Sequence, residues 1–185
     1  MPKVYEAEFM ENFLVVWNPE EGSALFKLGF FGKPVGIPKP KNTEFNVPLI
    51  LDLMEGLYLV EERLIRVVEG PEKREMNFKT LRSRARRVFE EFDLKYVVYR
   101  DLRRRGLIVT PGVKYGCDFV VYKQGPGIDH APYMVSVKSC RDDVTATDIV
   151  KAGRLATTVK KRFIVAVPDI EKGSVRYLIF RWFKA

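Results

Sequence analysis

The sequence contains few of the residues from which disulfide scaffolds and metal centres are built. Its 185 residues include two cysteines and one histidine. Cys117 and Cys140 have no metal-type spacing, and two cysteines do not form the framework that stabilises small secreted domains. We therefore expect neither a disulfide-rich fold nor a cysteine-based zinc site.

Long apolar runs are also lacking. No stretch approaches the roughly 20 consecutive apolar residues that a membrane-spanning helix requires. The first residues, MPKVYEAEFMEN, lack the apolar core of a secretory signal peptide. We therefore expect an intracellular protein that acts in the cytoplasm and involves no membrane.

Positive charge is in excess. The chain has 32 lysines and arginines against 24 acidic residues, which gives a formal net charge of +8. Many of the basic residues lie between residues 77 and 106. Such a balance either serves solubility or indicates a polyanionic partner, most simply nucleic acid. On the second interpretation, residues 82–87 and 103–105 contact phosphates, although part of this stretch can simply be solvated helix.

The hydrophobic pattern predicts two α/β units that meet near residues 91–95. For the first unit, residues 1–92, it predicts strands over 3–11, 13–18 and 23–31, an exposed loop over 32–42, a helix over 47–64, a strand over 64–70 and a helix over 78–92. We expect Asn46 to cap the helix over 47–64 and Pro48 to lie in its first turn.

The second unit, residues 93–185, alternates strand and helix. The pattern predicts a helix that Gly106 terminates, strands in LIVTPG, YGCDFVVYK and YMVSVKS, a helix over 145–161, and closing strands over 163–169 and 174–182. This alternation predicts a mixed α/β sheet with a packed helix.

One stretch of the second unit, VVYKQGPGIDHAPYMV over residues 120–135, contains the single histidine, His130. Tyr122 lies on the other side of the glycine- and proline-containing loop. If the two flanking strands pair, both side chains lie at the same edge of the sheet. Lys161, at the end of the predicted helix over 145–161, is a third candidate, although no spacing proves that it joins them.

These three residue types suit the cleavage of RNA, which carries its own nucleophile in the 2′-hydroxyl. The reaction needs a base, an acid for the departing 5′-oxygen, and a cation for the phosphorane oxygens. Histidine is the natural acid near neutral pH, and a tyrosine can act as the base if a nearby ammonium lowers its pKa. A lysine at a helix C-terminus stays protonated and stabilises charge. No metal or other cofactor is required. Alternatively, His130 is an ordinary surface residue, Tyr122 a strand-end aromatic, and Lys161 part of a solvated helix end.

Two stretches resemble a known family. YVVYRDLRRRGLIVTPGVKYGCDFVVYKQGPGIDH, residues 96–130, resembles the catalytic domain of archaeal tRNA-splicing endonucleases, and GRLATTVKKRFIVAVPD, residues 153–169, resembles the helix and following strand of that domain. The resemblance implies a restriction-endonuclease-like mixed sheet for the C-terminal domain. It also implies metal-independent cleavage of precursor tRNA at a bulge–helix–bulge motif, which leaves a 2′,3′-cyclic phosphate and a 5′-hydroxyl.

The resemblance also assigns residues. It implies Tyr122 and not Tyr115 as the general base, His130 as the general acid and Lys161 as the transition-state stabiliser. It implies that two cationic or aromatic side chains grip a bulged base. These are Arg154, which on a continuous helix lies two turns before Lys161 and faces the same way, and either Arg181 or Trp182. The loop over residues 32–42 resembles an insertion in crenarchaeal catalytic subunits, which makes Lys39 and Lys41 candidates for RNA contact.

Two other functions stay open. Asp118, followed by Ser136 and Lys138, is a partial match to the active-site pattern of metal-dependent restriction-type or resolvase-like nucleases, in which a carboxylate replaces the serine. The chain can also be a non-catalytic RNA-binding structural subunit, although such subunits lack the full set of three residues. Family members form homotetramers, homodimers or two-plus-two heterotetramers. The crenarchaeal-type loop favours the last, with a paralogous non-catalytic partner.

Overall fold

The computed structural model describes residues 3–38, 40, 42–158 and 161–180. The chain divides into two compact units, Met1–Phe92 and Asp93–Ala185. Each unit contains a sheet with both parallel and antiparallel strand pairs, together with helices. The predicted mixed α/β class is therefore confirmed. No helix within the described ranges has both the length and the apolar character needed to cross a bilayer.

The first unit is a mixed sheet with three-turn and shorter helices. In chain order its elements are β1 (Tyr5–Met10), β2 (Phe13–Val16), α1 (Pro19–Gly29), β3 (Lys33–Pro34), β4 (Leu49–Asp52), α2 (Leu53–Glu61), β5 (Ile65–Glu69), β6 (Arg74–Met76) and α3 (Phe78–Val88). The strand order is β3-β4-β2-β1-β5-β6, and β1 and β5 form the parallel pair.

The segment 23–31, predicted as a strand, is part of helix α1, so that prediction is wrong. Asn18 caps the helix by accepting the backbone N–H groups of Glu20 and Glu21 at 2.9 and 3.2 Å. Pro19 occupies the first turn, where a missing N–H costs nothing. The cap and proline outweigh the β-rich composition that follows, and Leu25 and Phe26 become core residues.

The helix predicted over 47–64 is also shorter than expected, because its first part is strand β4, which pairs with β2. Asp52, and not Asn46, is the cap. Its carboxylate accepts the N–H of Glu55 at 2.7 Å, and the Glu55 carboxylate accepts the N–H of Asp52 at 3.1 Å. This reciprocal capping box fixes the helix start. Leu53 and Leu57 of this helix are fully buried.

The second unit is a mixed sheet with two helices among the residues that the structure describes. Its elements are α4 (Phe92–Arg104, which begins at the last residue of the first unit), β7 (Ile108–Pro111), a 3₁₀ turn (Val113–Tyr115), β8 (Phe119–Tyr122), β9 (Tyr133–Val137), α5 (Ala146–Thr158), β10 (Arg162–Asp169) and β11 (Ser174–Phe180). The strand order is β11-β10-β9-β8-β7, with β9 and β10 parallel. The pattern in the sequence predicted every one of these strands.

Helix α4 ends as predicted before Gly106, which adopts a positive φ of 78°. One basic residue of this helix has a different role from the predicted one. Arg103 is buried, with 6% of its surface exposed. Its guanidinium donates to the Tyr99 hydroxyl at 2.9 Å and to the Val109 carbonyl at 3.0 Å. Arg103 therefore joins α4 to β7 and is not available to a phosphate.

The structure describes helix α5 over Ala146–Thr158, and residues 159 and 160 fall outside the described residues. Lys161 lies in the link immediately before β10. The prediction that the helix extends to Lys161 is therefore wrong. The expectation that Arg154 and Lys161 lie two turns apart on one helical face is wrong for the same reason.

Candidate active site

Strand pairing brings three segments of the second unit to one edge of its sheet. Val121 of β8 lies opposite Tyr133 of β9, and Arg162 of β10 also lies opposite Tyr133. Tyr122 follows Val121, residues 130–132 precede Tyr133, and Lys161 precedes Arg162. These residues therefore leave the sheet at the same edge, as expected for Tyr122 and His130 if β8 and β9 pair.

Lys161 is tied to the segment that carries His130. Its Nζ donates to the carbonyl of Ala131, the residue after His130, at 2.7 Å. The same Nζ lies 5.8 Å from the centre of the Tyr115 ring, which is within the range of a cation–π interaction. Two contacts thus hold the ammonium at the sheet edge, in place of the helix terminus that the sequence predicted.

Tyr122 is half-buried at the end of β8. Burial raises the pKa of its phenol, and the neighbouring Tyr115 raises it further, while a hydrogen bond with the Thr110 side chain lowers it. The net direction is upward, so the expectation that an ammonium lowers the pKa of Tyr122 is wrong. The phenol is accordingly protonated in the free protein at neutral pH.

His130 has an exposed side chain, and its neighbour Ala131 is 3% exposed. The loop before it is ordered by Asp129, whose carboxylate accepts the backbone N–H groups of Lys123 and Gly125. Sequence reasoning missed Asp129, and it named Tyr115 only to exclude it as the general base. The aspartate was detectable in principle, because aspartates in glycine-containing turns often accept nearby backbone N–H groups. Tyr115 carried no such signal, because its position depends on how the 3₁₀ turn folds over the sheet.

Of the candidates for RNA contact, the structure describes Arg154. Arg154 lies on the last turns of α5 with an exposed side chain. Lys39, Lys41, Arg181 and Trp182 fall outside the described residues. Near its start, the predicted exposed loop over residues 32–42 contains the short strand β3, in which Pro34 is buried.

The carboxylate of the alternative metal site has structural partners. Asp118 Oδ1 lies 3.1 Å from Lys95 Nζ, and Oδ2 accepts the N–H of Val137 at 2.8 Å. Within the described part of the chain, no group of three histidine, cysteine or acidic side chains is arranged to bind a metal ion. A hard divalent cation prefers several oxygen ligands, so this donor set does not fit a metal-dependent nuclease site.

Comparison with known proteins matches both units of the chain to the two domains of one family. Residues 92–177 match the family described as tRNA intron endonuclease, catalytic C-terminal domain, and residues 5–82 match its N-terminal domain. A tRNA-splicing endonuclease of Hyperthermus butylicus is 43% identical over 170 residues, which cover 92% of this chain and 93% of that protein. A tRNA-splicing endonuclease of Sulfurisphaera tokodaii is 36% identical over 178 residues, or 96% and 98% of the two chains. One of Saccharolobus islandicus is 37% identical over 172 residues, or 92% and 94%.

Proposed function

Because this chain belongs to the tRNA intron endonuclease family, we propose that it is a catalytic tRNA-splicing endonuclease that cuts precursor tRNA at bulge–helix–bulge junctions in the cytoplasm. The observation that carries the proposal is the contact of Lys161 Nζ with the Ala131 carbonyl at 2.7 Å. This contact joins the proposed charge stabiliser to the residue beside the proposed acid.

The proposed reaction is an intramolecular transesterification within the RNA. Tyr122 takes the proton of the 2′-hydroxyl, and the resulting oxyanion attacks the adjacent phosphorus. The bond from phosphorus to the 5′-oxygen breaks, and His130 gives its proton to that oxygen. Atoms and charge balance with a 2′,3′-cyclic phosphate and a 5′-hydroxyl as products, and Lys161 stabilises the charge on the phosphorane oxygens.

The raised pKa of Tyr122 constrains this mechanism. Burial is the main cause of the increase, so only a small fraction of the phenol is ionised at neutral pH. The proposed base therefore acts from the minor tyrosinate population, because a neutral phenol cannot accept the proton of the 2′-hydroxyl. His130 has an exposed side chain, which a leaving oxygen of a bound RNA can approach without rearrangement of the core.

The proposed RNA contacts and partner extend beyond the three residues. Arg154 would stack on a bulged base, with Arg181 or Trp182 opposite, and Lys39 or Lys41 would contact the RNA. A paralogous non-catalytic subunit would complete a two-plus-two heterotetramer. The edge position of β11, with Leu178 and Ile179 55% and 48% exposed, supports a protein partner for this strand.

The test is cleavage of a precursor tRNA by the chain alone and by the chain mixed with a paralogous subunit from the same genome. The control RNA has the same helices with the bulges paired. We expect two cuts in the intact RNA, under at least one of the two conditions, and none in the control. If the mixture cleaves equally well with the parental chain and with its His130→Ala variant, the partner supplies the chemistry and this chain is instead a structural subunit.

A further inference from the structure

One carboxylate closes the loop between Tyr122 and His130. Asp129 Oδ2 accepts the N–H of Lys123 at 3.1 Å, and Oδ1 accepts the N–H of Gly125 at 2.8 Å. The N–H of Asp129 donates back to the carbonyl of Gly125 at 3.1 Å. Lys123, which follows Tyr122, is thus hydrogen-bonded to Asp129, which precedes His130.

Besides these bonds, the N–H of Ile128 donates to the Gly125 carbonyl at 3.1 Å. Gly125 and Gly127 have φ values of 139° and 86°, a region that residues with a side chain rarely adopt. Ordering a glycine-containing segment costs much conformational entropy, and hydrogen bonds that hold the segment offset this cost. Beyond His130, the buried Ala131 and its bond to Lys161 fix the chain again. The Asp129 side chain therefore orders the loop that precedes His130.

The state of Asp129 suits this role. Partial burial opposes ionisation, but the backbone N–H groups of Gly125 and Lys123 more than offset it, and the pKa of Asp129 is lowered. The group is an acceptor-only carboxylate throughout the neutral range, and hydrogen bonds to a charged acceptor are stronger than neutral ones.

We propose that Asp129 is a positioning residue that holds His130 in register with Tyr122 during RNA cleavage. The proposal rests on the proposed function, since it gives Asp129 no contact with the substrate and acts only through the neighbouring acid. The negative charge of Asp129 would by itself slow cleavage, because it disfavours ionisation of Tyr122. Burial raises the pKa of Tyr122 most, and the negative charge of Asp129 adds to it. Removal of that charge favours the tyrosinate and would by itself speed the reaction.

The first experiment measures single-turnover cleavage of a bulge–helix–bulge RNA by Asp129→Ala and Asp129→Asn. The matched control is Asp142→Asn, which changes an exposed carboxylate that accepts the backbone N–H of Ser139 at 2.7 Å. Misplacement of a reacting group by about 1 Å can cost about 10²-fold, so we expect a loss of about 10- to 100-fold for Asp129→Ala. Asp129→Asn should lose less, because its amide oxygen can still accept one N–H. The control should keep the parental rate.

RNA affinity should be unchanged in all three variants. A parental or higher rate in both Asp129 variants would overturn the proposal. If Asp129→Ala does not fold, Asp129→Asn decides the question by itself, because it retains the size of the side chain. A parental rate in Asp129→Asn then overturns the proposal, and a reduced rate with unchanged affinity supports it.

The second experiment separates this proposal from the proposed function by a double-mutant cycle with His130→Ala. If Asp129 acts through His130, Asp129→Ala costs nothing further when His130 is already removed. A full additional loss in the double variant shows that Asp129 acts elsewhere and overturns the proposal. If His130→Ala alone has the parental rate, the proposed function fails instead, and the positioning role fails with it.

Discussion

The side chain of His130 is exposed at the edge of the sheet, so its replacement changes chemistry more than stability. We expect His130→Ala to reduce the single-turnover cleavage rate by about 10²- to 10⁴-fold, the usual effect of losing a general acid. The affinity for RNA, measured by filter binding or anisotropy, should stay close to that of the parent. A rate within twofold or so of the parental one would remove His130 from the mechanism.

The raised pKa of Tyr122 leads to a prediction about pH. Burial and then Tyr115 raise this pKa above the usual tyrosine value, which is about 10. Below that pKa the tyrosinate fraction grows about tenfold for each pH unit. In the His130→Ala variant, which lacks the proposed acid, the cleavage rate should therefore rise with that slope through neutral pH and up to at least about pH 10.

The same pH series for the double variant Tyr122→Phe and His130→Ala is the control. It should lack the slope, because the titrating phenol is gone. A rate that levels off near neutral pH in the His130→Ala variant would mean that another group is the base.

Among the elements, helix α2 offers a direct test of the capping that the structure reveals. Asp52→Ala should reduce the free energy of unfolding by about 0.5–2 kcal/mol, because the N–H of Glu55 loses its acceptor. Asn46→Ala, at the cap that the sequence predicted, should have no measurable effect, because strand β4 separates it from the helix. Denaturant titration measures both. Equal losses in the two variants would contradict the observed helix start.

The sequence predicted the elements of the second unit better than those of the first. Short apolar strands such as β8, β9 and β10 have a period of two or are bounded by turn residues, so their type is readable. In the first unit, the segments 23–31 and 47–52 have compositions that suit either helix or strand. Their structure depends on caps and on strand pairing, since Asn18 begins α1 and pairing with β2 makes β4 a strand.

For the candidate site, the sequence predicted that Tyr122 and His130 approach one another when β8 and β9 pair. It could not predict what holds Lys161, because this residue lies outside the helix and its contacts with Ala131 and Tyr115 are tertiary. It also predicted the wrong direction for the pKa of Tyr122, since burial and the neighbouring Tyr115 are tertiary effects. The same holds for Arg103, whose burial depends on how α4 packs on β7.

For the whole molecule, the proposed recognition mode depends on shape and charge, because an enzyme that finds introns at unrelated sequences must read structure. Stacking of a base on a side chain contributes about 1–3 kcal/mol and tolerates any base. Arg154→Ala should therefore slow cleavage of all bulge sequences alike. The matched control Arg141→Ala, which also removes an exposed cation of the second unit, should have little effect.

The measurement compares rates for bulges of different sequence at fixed structure, and then for a fixed sequence with one bulge paired. Rates that follow base identity but ignore loss of the bulge would contradict recognition by shape. The net charge of +8 also implies that RNA binding weakens steeply with salt, so all comparisons need one fixed ionic strength.

The most direct test of the account is to identify the ends that cleavage leaves, in the presence of a metal chelator. Parental protein and a bulge–helix–bulge RNA are incubated in excess EDTA, with a polyamine to maintain the fold of the RNA, and the products are analysed by mass spectrometry. The proposed metal-independent mechanism predicts unchanged cleavage with a 2′,3′-cyclic phosphate on one fragment and a 5′-hydroxyl on the other. Loss of cleavage with the RNA still folded, or a 5′-phosphate on the products, would contradict it.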